Sequence, residues 1–384
     1  MTPRVTVSPL LLQWACKRSQ VDQEKLHKRF PKYLKWESGT LKPTHKQLKD
    51  FAKFTHVPIW TLFLSKPPVE EIPIRDLRTM NDQDIENPSS NLLDTIYLCL
   101  QRQAWYHDLL QREGAETISF VGSTSANSDV HAIASEIRAK LEFNEEIRSK
   151  LTSWSDALRY LVDQAENNGI LIMISGIVGS NTHRKLNPDE FRGFALADHY
   201  APLVFINGAD TKAAQIFTLV HELAHIWLGN SSLSNVTPNS SPSNTTERWC
   251  NHVAAELLVP KESLKHYYQP NSPIPKNISN LSRHYKVSTL VILRRLFDIG
   301  KLQRTEFTEY YQIEMRRNSP KKNVSTGGNF HATLKTRVGK RFGSALVAST
   351  FSGETSFTDA FHYLGINKTS TLKAFGKNLG VRTD

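Results

Sequence analysis

The stretch AAQIFTLVHELAHIWLG, residues 213–229, constrains this chain more than any other part of it. Ile216, Leu219, Val220, Leu223, Ala224 and Trp227 recur at helical spacing, which predicts a mostly buried helix stopped by Gly229. Within it stands His221-Glu222-Leu223-Ala224-His225. Residues four apart share a helix face, so His221 and His225 can present imidazole nitrogens to one Zn²⁺ ion, while Glu222 is placed to handle the proton of an attacking water. In a chain with 14 His such a pattern arises by chance at roughly the per-cent level, so a third ligand has to decide the matter.

Catalytic zinc takes three protein ligands and keeps a fourth position open. Beyond a polar Ser/Asn/Pro stretch, ERWCNHVAAELLV predicts a second helix that Pro260 ends. Glu247 opens this helix and can complete a two-His, one-Glu set; Asn251, one turn later on the same face, can supply the hydrogen bond that orients a ligand. His252 and Glu256 compete for the third place. His252 points about 100° away from Asn251 on a helical wheel and reads as a neighbouring polar residue. Glu256 lies inside an apolar run and reads as a structural carboxylate, and Cys250 as a small packed hydrophobe. No His follows His225 at the short spacing of three-histidine metalloproteases, which disfavours that ligand set.

The 384 residues exceed what one hydrophobic core organises, so two or three domains are expected. Residues 1–68 read as short helices: SPLLLQWACKRS, DQEKLHKRF with Asp22 as its N-cap, YLKWESG and HKQLKDFAKFT. Lys66-Pro67-Pro68 makes a stiff exit and a boundary near residue 69. A helical pattern covers residues 90 to 170, three short strands follow in ILIMISGIV, FRGFALAD and PLVFING, and the chain is helical again beyond 277. NSPKKNVSTGG, residues 318–328, reads as a linker into a small basic tail.

The net charge of +11 is unevenly placed. Residues 1–68 carry 13 Lys+Arg against 4 Asp+Glu, residues 315–384 carry 12 against 3, and the remaining 246 carry 23 against 30. Basic ends flanking an acidic middle fit nucleic-acid contact and, equally, plain solvated lysine faces. No apolar run approaches the roughly 20 residues of a membrane span, and the N-terminal residues lack the form of a secretory signal. Cys16, Cys99 and Cys250 are too few and scattered for a disulfide framework, so the reducing cytoplasm is the expected compartment, with no membrane partner.

HELAHIWLG followed by ERWCNHVAAELLVP resembles the ImmA/IrrE family of zinc metallopeptidases. The family's second helix has the form E-x-x-[AC]-N-x-x-A-A-x-L-L-x-P, and Glu247, Cys250, Asn251, Ala254, Ala255, Leu257, Leu258 and Pro260 match it. FRGFALAD and APLVFINGAD, with Gly193, Asn207 and Gly208, resemble the strands that precede the family's active helix. RFPKYLKWESGTLKPTHKQLKDFAKFTHVPIWTLFL resembles an Xre/Cro-type helix-turn-helix that is several residues shorter than usual around its recognition helix. Lys28, Arg29, Lys32 and Lys35 remain to touch DNA phosphates, while Trp36 and Glu37 are read as holding the fold. The tail from GGNFHATLKTRVGKRF onward resembles the same fused subgroup more loosely.

The resemblance implies an α+β, mostly helical chain: a helix-turn-helix bundle over 1–68, a zincin-like metallopeptidase domain with a small β-sheet over 69–317, and a basic helical domain over 318–384. It implies a zinc-dependent endopeptidase with the metal on His221, His225 and Glu247 and with Glu222 as general base, cleaving a specific repressor or regulator. If PLVFING is an exposed edge strand, it aligns an extended peptide by β-augmentation. The competing reading is a DNA-binding regulator, or an antitoxin that neutralises a cognate toxin, with the peptidase fold as scaffold. His183, His199, Arg192, Tyr267 and Tyr268 are open candidates for stabilising the oxyanion.

Overall fold

Short amphipathic segments with strong caps begin the chain. In the computed structural model, which describes residues 3–383 apart from 20, 69, 71, 77–78, 81–82, 85–87, 235–243 and 318–329, they form α1 (Pro9–Ser19), α2 (Gln23–Arg29), α3 (Tyr33–Glu37), α4 (His45–Phe54) and a 3₁₀ turn, Ile59–Phe63. The Asp22 carboxylate accepts the N–H groups of Glu24 and Lys25 at 2.8 and 3.1 Å, and Thr44 with Gln47 makes a capping box at α4. Leu11, Leu12, Leu26, Leu48 and Phe51 are fully buried, and the rings of Phe30, Tyr33 and Trp36 pack around Phe51. Trp36 is therefore a core residue. α3 is only five residues long.

Two units partition the chain, Met1–Pro73 with Glu86–Ile96, and Ile74–Ile85 with Tyr97–Asp384. The helix α5 (Ser90–Arg112) begins in the first and continues in the second. The second unit holds β1 (Arg75–Asp76), a small hairpin of β2 (Thr79–Met80) and β3 (Gln83–Asp84), and then α6 (Val130–Lys140), α7 (Glu145–Lys150) and α8 (Trp154–Asn167). Next come β4 (Leu171–Ser175), a hairpin of β5 (Ile177–Val178) and β6 (Asn181–Lys185), β7 (Gly193–Leu196), β8 (Leu203–Asn207), α9 (Lys212–Leu228) and β9 (Ser232–Ser234). α10 (Thr245–Leu258), α11 (Lys261–Tyr267), α12 (Ile274–Tyr285), α13 (Thr289–Asp298) and α14 (Arg304–Arg317) follow, and α15 (Phe330–Val338), α16 (Lys340–Phe351), α17 (Phe357–Leu364) and α18 (Thr369–Leu379) close the chain. The linker expected at 318–328, and the polar stretch at 235–243, lie outside the described residues.

The main sheet has the order β1-β9-β7-β8-β4, with β4 parallel to β8, β7 antiparallel to both β8 and β9, and β1 parallel to β9. Every residue of β4 and β8 is buried. PLVFING is thus not an exposed edge strand but an interior one, and its unbroken apolar run, with no alternation, is what burial on both faces demands. The polar stretch after Gly229 also starts differently from its composition. Ser232-Leu233-Ser234 is a strand because β7 and β1 offer it ladders on both sides, a tertiary cause that overrides propensity.

α9 packs on α8, β7 and β8, and α10 packs along α9 and α6. The last carbonyls of α10 are met by three guanidinium groups. Arg138 donates to Glu256 O and Leu257 O at 2.8 and 3.3 Å, Arg148 to Leu258 O, and Arg295 to Val259 O at 3.1 Å. Arg295 also pairs with the buried Glu256 carboxylate, which makes Glu256 a structural group. Cations at this end satisfy orphan acceptors and complement the helix dipole, so α10 is held firmly on α9. The tail from Phe330 lies in the second unit, with α15 against β4 and the buried Arg102 of α5 donating twice to Tyr363 O, at 3.0 and 2.7 Å. No helix among the described residues is long and apolar enough to cross a membrane.

Candidate metal centre

Thr211 caps the start of α9 by accepting the Ala214 N–H, and Gly229, at φ 68°, closes it in a left-handed turn. Between them Gln215 to Trp227 are all buried. The Trp227 indole donates to Glu136 at 2.9 Å and stacks on Phe120, fixing the rotation of the helix about its axis. That rotation turns His221 and His225 toward α10, where Asn244 caps a first turn containing Glu247.

Three groups converge. His221 Nε2 lies 3.1 Å from His225 Nε2, His221 Nε2 is 3.3 Å from Glu247 Oε2, and His225 Nε2 is 2.9 Å from Glu247 Oε1. All three side chains are buried, and among the described residues they are the one His/Cys/Asp/Glu group with ligand atoms this close. Ligands about 2.0–2.1 Å from a tetrahedral zinc stand roughly 3.3 Å from one another, so the observed triangle has the size the ion requires. The chemistry of the donors agrees. Two imidazole nitrogens face each other across a gap that can hold one proton at most, beside a carboxylate, and nothing in a dry interior favours that grouping unless a cation joins it.

Protonation states point the same way. Burial by itself would raise the Glu247 carboxyl, but His221 and then His225 outweigh it and hold it well below the usual carboxylate range. Burial lowers the His225 imidazole against the pull of Glu247. An ionised carboxylate and a neutral imidazole are the forms that bind metal. Glu222 behaves oppositely: burial first, and the Glu247 charge second, raise it well above the ordinary range, with the Ser234 hydroxyl acting the other way. No hydrogen bond of normal geometry reaches either Glu222 oxygen.

The other predicted residues fall as follows. Asn251 is partly buried on α10, one turn beyond Glu247. His252 lies outside the cluster, its imidazole lowered by burial. Burial pushes the Cys250 thiol far up, which suits a packing residue. Lys28, Arg29, Lys32 and Lys35 are exposed on or beside α2 and α3. Arg192 pairs with Asp210 at 2.8 Å, and the Tyr267 ring packs tilted against His284. Two neighbours of Glu222 escaped sequence reasoning in their role. Gly193 of β7 faces it so closely that a Cβ would come within 3.2 Å of Glu222 Oε1, and Ser234 sits across the same ladder. Gly193 was legible as part of a resemblance; Ser234 carried no signal inside a run of serines and asparagines.

Residues 165–297 match the family model Peptidase_M78, the IrrE N-terminal-like domain, and this span contains α9, α10 and all three converging side chains. Residues 338–378 match a domain of unknown function, DUF8813. No curated protein matches the chain. The first match supports an ImmA/IrrE-type metallopeptidase family for the central segment.

Proposed function

We propose that this chain is a zinc-dependent endopeptidase of the ImmA/IrrE type, cleaving a specific regulatory protein in the cytoplasm. The convergence of His221, His225 and Glu247 beside the buried Glu222 carries this reading. These three side chains would hold the ion, which when bound supplies Lewis-acid polarisation of a water and of the scissile carbonyl. Glu222 takes the proton of the attacking water and returns it to the departing amine, and its apolar surroundings suit a carboxyl that must carry a proton part of the time. Gly193 leaves the space in which the Glu222 carboxylate lies. Arg138, Arg148 and Arg295 keep Glu247 in register by fixing the far end of its helix.

Glu222→Gln should retain zinc, as measured by atomic absorption, while lowering turnover by about 10²–10⁴-fold. Glu247→Ala should lose the metal. In cells, new protein N-termini should appear with the wild type and vanish with Glu222→Gln. Identical sets of N-termini in the two strains would sink the assignment. A second reading, a DNA-binding regulator or antitoxin that uses the peptidase fold as a scaffold, draws on the exposed Lys28, Arg29, Lys32 and Lys35. Retention of both imidazoles, the Glu247 carboxylate and Glu222 in one dry cluster favours chemistry over a scaffold.

A further inference from the structure

The last helices carry a feature that the metal centre does not use. α17 ends on Gly365, at φ 65°, whose N–H reaches His362 O while the Ile366 N–H reaches Phe361 O. After the four-residue turn Gly365–Lys368, α18 begins at Thr369. α16 packs against both, over a core of Phe342, Leu346, Ala360, Leu364, Leu372 and Phe375, each fully buried. Two short helices joined by a glycine-containing turn of this length, with a third helix packed on both, have the form of a helix-turn-helix.

In such a unit the second helix lays one face on its own core and the opposite face in the major groove. α18 is divided in that way. Leu372, Phe375 and Gly376 are buried, and Ser370, Lys373, Ala374, Lys377 and Asn378 are exposed. Its 11 residues make a rod of about 16 Å, enough to cross a groove about 12 Å wide. The five residues of α3 reach only about 7 Å. From Asn367 to Arg382 the chain has four cations, Lys368, Lys373, Lys377 and Arg382, and no acid. A strip with this sign and shape complements a phosphate backbone.

We propose that α17, its turn and α18 form a DNA-binding site, with α18 docked in the major groove of a duplex. The site is separate from the metal centre and from the N-terminal bundle. The family match over 338–378 gives this region no role, and the reading does not depend on peptidase activity.

The test uses the full chain and a fluorescein-labelled DNA duplex of random sequence, followed by anisotropy between about 50 and 200 mM salt, where phosphate contacts make affinity fall steeply. K373A/K377A should weaken binding at least about tenfold and flatten the plot of log K against log salt by about two units, one per phosphate contact. Both side chains are exposed, so thermal melting should not move. Ala374→Lys provides a gain that misfolding cannot imitate: tighter binding and a slope steeper by about one. Affinity and slope unchanged in K373A/K377A overturn the proposal, as does an Ala374→Lys variant no tighter than wild type. Stronger competition by polyglutamate than by unlabelled duplex also overturns it, and would point to an acidic protein instead.

Discussion

At Gly193 a single missing methyl decides how the Glu222 carboxylate is held. A Cβ there would meet Thr218 Cγ2 at 2.6 Å, the Phe205 carbonyl oxygen at 2.9 Å and Glu222 Oε1 at 3.2 Å. The backbone is that of an ordinary β-strand, so alanine adopts it without torsional strain and the whole penalty is steric. Gly193→Ala should cost roughly 1–3 kcal/mol in stability, the usual range for overpacking. Relief of the clash moves Glu222 or the helix turn that carries it, so turnover should fall by more than the melting temperature suggests while zinc content stays at wild type. Wild-type turnover in a folded Gly193→Ala protein would show that Glu222 tolerates displacement. The two histidines of the candidate centre were legible because i, i+4 spacing on a helix is a geometric statement made by sequence alone. That Gly193 and Ser234 lie against Glu222 was not, because they come from strands 29 residues before and 12 after it, and only the sheet brings them together.

Among the elements, α16 shows how a helix borrows a cap from another part of the fold. Its own N-cap position is Gly339, with no side chain to offer, and Glu166 at the end of α8 fills the role by accepting the Arg341 N–H at 3.0 Å. Burial, with the Asp163 charge in addition, raises the Glu166 carboxyl to about 7 against the Arg341 and Lys340 N–H groups, which favour the ionised form. A carboxyl raised in the folded state binds its proton more tightly there than in the unfolded chain. Stability from this group is therefore complete below the ordinary carboxylate range and is lost as pH rises through about 7. Hydrogen exchange of the α16 amides should accelerate between pH 5 and 8 beyond its intrinsic base dependence, and Glu166→Gln should remove the excess; an excess that survives the substitution would rule this carboxyl out as its source. Sequence reading placed α8, α9 and α10 and the strands β4, β7 and β8 well, since each has a clear period or apolar run. It missed the capping of α16 by Glu166 and the guanidinium cap of α10, because both depend on residues between about 36 and 175 positions apart.

On the scale of the whole molecule, charge and cores divide along different lines. The basic excess lies in both terminal segments, yet the core of the first unit, built on Leu12, Leu48 and Phe51, shares no residue with the one that runs from Phe120 through α9 and α10 to Phe307 in the second. Cores that share no residue can melt separately, and a ligand stabilises only the core that binds it. All three candidate ligands are buried on α9 and α10, whose Val220, Ala224 and Cys250 belong to the second core. Calorimetry should therefore resolve two transitions. Saturating zinc at about a thousand times its dissociation constant is worth roughly 4 kcal/mol, a shift of several degrees in the larger transition. Chelation should reverse that shift and leave the smaller transition where it was. His221→Ala should melt at the chelated temperature whether or not zinc is added. One transition moving as a whole would mean that the two cores unfold as a cooperative unit, and a zinc shift that persists in His221→Ala would place the ion elsewhere.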